Sequence, residues 1–144
     1  MRRRVGGFTL IELVMVLTLV GILAVFAATS FDRREFEARG FHDETLALLR
    51  YAQKTAIAQR RTVCVALNGA GVGLTMDTSV PPDLICDAVP TLPNVPRGGS
   101  GLAGSVASFR YTPLGGTDQA TNVLITLPSA AAIIVEADTG YAHD

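Results

Sequence analysis

GFTLIELVMVLTLVGILAVFAATSF, from Gly7 to Phe31, is the stretch whose reading decides the fold. From Leu13 to Phe31 it carries no charge, and this run exceeds the roughly 18 apolar positions that mark a transmembrane candidate. Arg2, Arg3 and Arg4 stand directly ahead of it, so the positive-inside rule keeps this end in the cytoplasm and sends the rest of the chain out. As one helix from Phe8 to Phe31 the segment would be about 36 Å long, enough for the bilayer core. The chain has 144 residues, 49% of them hydrophobic and only 17% charged, with a mean hydropathy of +0.36. Such a length allows one compact domain beside the apolar segment, where the hydrophobic excess is concentrated.

Three readings of that segment follow from its residues. A signal peptide cut after Ala27 would use the small side chains at Val25 and Ala27. Glu12 weighs against it, because a carboxylate within the apolar region costs about 2.5 to 3.5 kcal/mol on insertion scales. A plain membrane anchor would place Glu12 near the interface, where it favours the positive helix N-terminus. The third reading uses Gly7, Phe8 and Glu12 together.

GFTLIELV, from Gly7 to Val14, resembles the processing site of type IV prepilins and type II secretion pseudopilins. The resemblance rests on a short basic leader ending in Gly7, an aromatic Phe8, a glutamate five positions after that glycine, and a long apolar run. It implies that residues 1–7 are a leader, that a prepilin peptidase cuts between Gly7 and Phe8, and that the new Phe8 amine is methylated. Gly7 suits such a cut mechanically, since a residue without Cβ enters a protease cleft closely. Glu12 then pairs with the Phe8 amine of a neighbouring helix in a filament, where either charge buried alone would be costly. The resemblance departs from the family at Thr29, where many members carry proline and the helix bends. Its implied location is the bacterial inner membrane, single-pass, with residues 8–31 as membrane and filament helix and the head in the periplasm.

Beyond the apolar segment, DRREFEAR at Asp32 to Arg39 reads as a charged passage, with Gly40 as a break. An amphipathic helix is expected from about His42 to Gln59, with Thr45, Leu46, Leu49, Ala52, Gln53, Ala56 and Ile57 along one side. Arg60 and Arg61 near its end suit the macrodipole. From residue 62 to 144 the pattern changes to short β-rich runs broken by Gly, Pro, Asn and Asp. TVCVAL at 62–67, a hairpin signal at Asn68-Gly69, and VGLTM at 72–76 come first. SVASFRYT at 105–112, NVLITL at 122–127 and AAIIVEA at 131–137 follow, about five strands in all. The Pro-rich interval 77–102 reads as an irregular excursion. The fold class expected is α+β and pilin-like: a long apolar helix, then over residues 32–61 a linker and the amphipathic helix, packed on a small antiparallel sheet.

Two cysteines lie in this head, Cys64 in the first strand and Cys86 in the excursion. Export predicts a disulfide between them, the alternative being two free buried thiols. No metal is expected, since His42 and His143 are far apart and no C-x-x-C is present. Gly69-x-Gly71-x-Gly73 leads into LTMDTSVPPD, not into a helix, so it is turn chemistry and no phosphate cradle. Asp77, Asp83, Asp87, Asp118, Glu136 and Asp138 fall in expected loops or strand ends, as solvated carboxylates ordinarily do. With no nucleophile and base set standing out, neither a cofactor nor enzymatic activity is expected.

Two function classes are left. LLRYAQKTAIAQRRTVCV at 48–65 and IIVEADTGY at 133–141 are similar to minor pilins of the GspH/FimT type, including MSHA-type minor pilins. That resemblance implies a minor subunit of a type IV pilus or type II secretion filament, with other pilins, the prepilin peptidase, an inner-membrane assembly platform and membrane lipid as partners. It also admits a tip subunit whose head binds a ligand, since some such pilins capture DNA. Between residues 62 and 144 two arginines face seven carboxylates, a net charge of −5 that repels phosphate. Only Arg50, Lys54, Arg60 and Arg61 offer a basic stripe, and an ordinary solvated helix face is its simpler explanation.

Overall fold

The computed structural model describes residues 7–29 and 33–144. The chain divides into two compact units, residues 1–33 and 34–144. The first holds helix α1, Leu10–Thr29, apolar on every side. Among the described residues no helix is long and apolar enough to cross a membrane. The expected leader residues 1–6 lie outside the described residues, as do Ser30, Phe31 and Asp32, where the membrane helix was expected to end and the charged passage to begin.

Helix α2 spans Arg33–Gln59, nine residues earlier in its start than the amphipathic pattern predicts. Most of the expected charged passage is therefore helical, and Gly40 breaks nothing. Arg, Glu and Ala are good helix formers, and an i,i+4 ion pair between Glu35 and Arg39, 2.7 Å long, supports the exposed first turns. A single exposed glycine costs about 1 kcal/mol against alanine, which the surrounding turns outweigh. The periodicity failed here because polar residues surround this part of the helix, leaving only Phe41 and His42 to mark its buried side.

One face of α2 closes the core: Phe41, Thr45, Leu49, Ala52 and Ala56 recur at helical spacing and are buried. Ile57, expected on that face, is exposed. Small Ala52 and Ala56 let the helix lie close to the strands. The helix ends in a Schellman arrangement, with Arg61 N–H on the Ala56 carbonyl and Arg60 N–H on that of Ile57. Arg60 takes the left-handed position with φ of 52°, where glycine is usual.

Strands β1, Val63–Asn68, and β2, Gly71–Met76, form the expected hairpin. The Asn68 carboxamide oxygen accepts N–H groups of Ala70 and Gly71 and so fixes the turn. Strand β3 is Ala103–Gly104, β4 Ser108–Tyr111, β5 Val123–Thr126, β6 Ile133–Val135 and β7 Ala142–His143. They make two antiparallel sheets, β2-β1-β4 and β3-β5-β6-β7. Five strands were expected; β3 and β7, at two residues each, are too short to show any alternation. Alternate residues point inward, with Val63 and Val65, Phe109 and Tyr111, Val123 and Ile125, and Ile133 and Val135 in one cluster with the α2 face. Tyr111 is fully buried, its hydroxyl without a hydrogen-bond partner among the described residues, and burial raises its pKa above the ordinary phenol value.

The Pro-rich excursion runs back along α2. Arg61 donates to the carbonyls of Asp77 and Ser79, Tyr51 donates to Thr91 O, and the Glu44 carboxylate accepts Arg97 and Gly98 N–H at 3.0 and 2.8 Å. The segment thus leaves one end of the helix and reaches the other.

Because Arg60 holds a left-handed conformation that burdens any residue with a Cβ, Arg60→Gly should stabilise the head by about 0.5 to 1 kcal/mol. Thermal unfolding of the detergent-extracted chain reads this as a higher midpoint; a lower one would mean that the arginine side chain matters more than the backbone.

Candidate functional site

Glu12 occupies the third position of α1, and the start of that helix is built around it. Thr9 is the N-cap: its hydroxyl accepts the Glu12 N–H at 3.3 Å, while its carbonyl accepts Leu13 N–H. Thr-x-x-Glu is a capping-box pattern, the one sequence signal for this start that the motif reading passed over. Gly7 and Phe8 precede the cap in non-helical backbone. A cut between them removes nothing from the cap. The Glu12 carboxylate lies by the positive end of the helix dipole, where a newly freed Phe8 amine would add further positive charge.

From Phe8 to Val25 every described side chain is exposed, Phe8 itself to 81%. Among the described residues Glu12 forms no ion pair with its side chain. A helix apolar all round belongs inside a lipid phase or a packed bundle. The charge pairing anticipated for Phe8 and Glu12 joins two chains, so a single chain displays its halves and cannot complete it.

The basic stripe is differently employed. Arg50 donates from Nε to the Ala142 carbonyl and lies over the Tyr141 ring, 6.0 Å from its centre, so it ties β7 to α2. Arg61 clamps the excursion, as described above. Lys54 and Arg60 are exposed, and neither makes a side-chain hydrogen bond or ion pair among the described residues. Gln53, assigned to the apolar face by its spacing, is half-buried and pins two loops, donating to Gly115 O and Thr139 O at 3.1 and 2.7 Å. Gly140 sits between them with φ of 67°, and a Cβ there would collide with the Gly115 carbonyl. The Thr-Gly-Tyr turn therefore requires its glycine.

Cys64 and Cys86 form the expected disulfide, across a separation of 22 residues. Closing that loop stabilises by roughly 3 kcal/mol in the chain-entropy model. Asp77, just after β2, is a correction to the expectation of solvated carboxylates. It is fully buried and accepts three backbone N–H groups, of Ser79 at 2.9 Å, Asp83 at 3.1 Å and Leu84 at 3.0 Å. Asp87 caps the same loop from outside. Hydrogen bonds from the Thr78 N–H and hydroxyl hold its carboxyl below the ordinary 3.8. Asp118 is also engaged, with Arg110 at 2.9 Å.

Residues 2–28 match the family model of the prokaryotic N-terminal methylation motif. Among curated proteins no sequence matches this chain. Among solved structures it is similar to the type IV minor pilin FimU of Pseudomonas aeruginosa PAO1, with a TM-score of 0.52 at 15% identity, over 76% of this chain and 89% of that one. The likeness is one of fold.

Asp77→Ala would leave three loop N–H groups without their acceptor and should destabilise the head by about 3 kcal/mol. Asp83→Ala, which removes only an exposed bond to Ile85 N–H, should cost under about 1 kcal/mol. Urea unfolding of the two variants checks the ranking, and equal costs would show that the cage around Asp77 does not hold the loop.

Proposed function

We propose that this type IV pilin-like chain, a methylation-motif helix carrying a head of minor-pilin fold, is a minor structural subunit that enters a type IV pilus or type II secretion pseudopilus through α1. The observation that carries this reading is Glu12: a carboxylate in the first turn of an otherwise apolar helix, unpaired among the described residues, with an exposed Phe8 ahead of it. In this reading residues 8–31 anchor the subunit in the inner membrane before assembly. A prepilin peptidase removes residues 1–7, and an assembly platform then moves the helix from lipid into the filament bundle. Both surroundings are apolar, so the transfer costs little burial; the Glu12 to Phe8 pairing between neighbours selects one axial stagger. The head contributes shape and contacts, and it carries no chemistry of its own.

A structural role fits the head better than DNA capture. Of the four residues of the basic stripe, Arg50 and Arg61 are already bonded within the fold, and the chain from residue 62 to 144 has a net charge of −5.

Glu12→Val makes α1 more apolar, so membrane insertion and leader removal should continue. Breaking a buried pair by removing one partner costs about 3 to 5 kcal/mol, and incorporation into filaments should fall a hundredfold or more. The ratio of processed protein in sheared filaments to that in membranes measures this. Equal ratios for wild type and variant would contradict an assembly role for Glu12.

A further inference from the structure

The start of α1 is fixed by one side chain. Leu13 donates its N–H to the Thr9 carbonyl at 3.1 Å, which makes Thr9 the cap and leaves the N–H groups of Leu10, Ile11 and Glu12 ahead of the helical ladder. The Thr9 hydroxyl accepts the last of these, from Glu12 at 3.3 Å. The Glu12 carboxylate, in the same first turn, puts a negative charge where the helix dipole favours it. Nothing just upstream can replace this cap, since Val5, Gly6, Gly7 and Phe8 carry no side-chain acceptor. Gly7, Phe8 and Thr9 keep non-helical backbone, and all three are exposed.

That placement matters for the bond between Gly7 and Phe8. Its carbonyl belongs to Gly7, two residues ahead of the cap. A helix begun two residues earlier would take the Gly7 carbonyl as acceptor for the Ile11 N–H, its partner four residues on, and would draw Phe8 and Thr9 into the first turn. Hydrolysis needs that carbonyl free. Water adds to the Gly7 carbonyl carbon, the bond to the Phe8 nitrogen breaks, and the proton from water ends on the new amine while Gly7 keeps the carboxylate. A protease cleft also binds its substrate in extended form, through backbone groups that a helix would already have used.

We propose that Thr9 is a positioning residue for leader removal: its cap stops α1 at Leu10 and so keeps the Gly7–Phe8 bond in backbone that a peptidase can engage. The inference rests on the prepilin-type processing proposed above and adds to it the residue that sets where the helix stops. Without the cap the helix start could move in two directions. Unwinding Leu10 and Ile11 would open further N–H groups in apolar surroundings, where nothing replaces their partners. Winding Phe8 and Gly7 into the helix instead carries the open N–H groups toward the basic leader and water. The second direction is favoured, and it is the one that occupies the scissile carbonyl. Gly6 and Gly7 resist it as poor helix formers, which keeps the effect moderate. Exchanging a threonine cap for an apolar residue shifts such an equilibrium about fivefold.

Pulse-chase of the full-length chain in its own membranes, with the N-terminus of the product sequenced, measures the rate of leader removal. Thr9→Val keeps the side-chain shape and deletes the acceptor, and removal should slow about fivefold. Thr9→Ser and Thr9→Asn carry an acceptor on side chains of other shapes and should run within about twofold of wild type. A Thr9→Val chain processed at the wild-type rate would overturn the proposal. So would a Thr9→Asn chain as slow as Thr9→Val, because the peptidase would then be reading threonine itself and not the helix start. Both results leave the processing reading intact, whereas a wild-type chain that never begins at Phe8 refutes that reading and this inference with it.

Discussion

A carboxylate in the first turn of an apolar helix is the constraint around which the N-terminal unit is organised. Glu12 cannot be removed from its surroundings by folding, because α1 has no polar side to turn toward water and its described side chains from Phe8 to Val25 are all exposed. Two local features make the placement tolerable. The helix dipole favours a negative charge at this end, and the Thr9 cap uses up the Glu12 N–H, one of the donors that an uncapped helix start leaves open. Among the described residues no side chain supplies a counter-charge. The proposed pairing with the Phe8 amine of a neighbouring helix would supply one.

The head obeys a different economy of interactions. Its apolar core is ordinary, with period-two strands against one stripe of α2. What gives the head its particular shape is a set of polar side chains that hold loops rather than strands. Glu44 and Gln53 on α2 and Arg61 just past its end each bind backbone groups of a loop. Asp77 does the same from within the excursion. A hydrogen bond to a charged group contributes about 1.5 to 3 kcal/mol, so this small set weighs heavily in a domain of marginal stability. The same bonds turn a Pro-rich segment that sequence reads as irregular into a fixed surface.

Much of this was legible in the sequence, and the failures have physical causes. The hairpin at Asn68-Gly69 and the longer strands follow from local chemistry, the Cys64–Cys86 disulfide from the pair of cysteines and expected export, and the structure contains all of them. The first turns of α2 were missed because their polar, charged residues hide the helical period. β3 and β7 were missed because two residues carry no alternation. Nothing in DTSVPP announces that the chain folds over Asp77, so from sequence it reads as a solvated carboxylate. Gln53 was placed on the right face of its helix but for an apolar reason; the loops it binds lie more than sixty residues away. The methylation motif was readable because it is a short linear pattern, contained within residues 2–28.

The central claim is that α1 serves as a filament helix released from a leader, and the chemical identity of its N-terminus tests that most directly. Intact mass and N-terminal sequencing of protein extracted from membranes should give a chain beginning at Phe8 with a methylated amine, residues 1–7 having been removed. A chain beginning at Ala28 would mean that α1 is discarded as a signal peptide, and one still carrying Arg2, Arg3 and Arg4 would mean that it serves as a plain anchor. Either result would contradict the account.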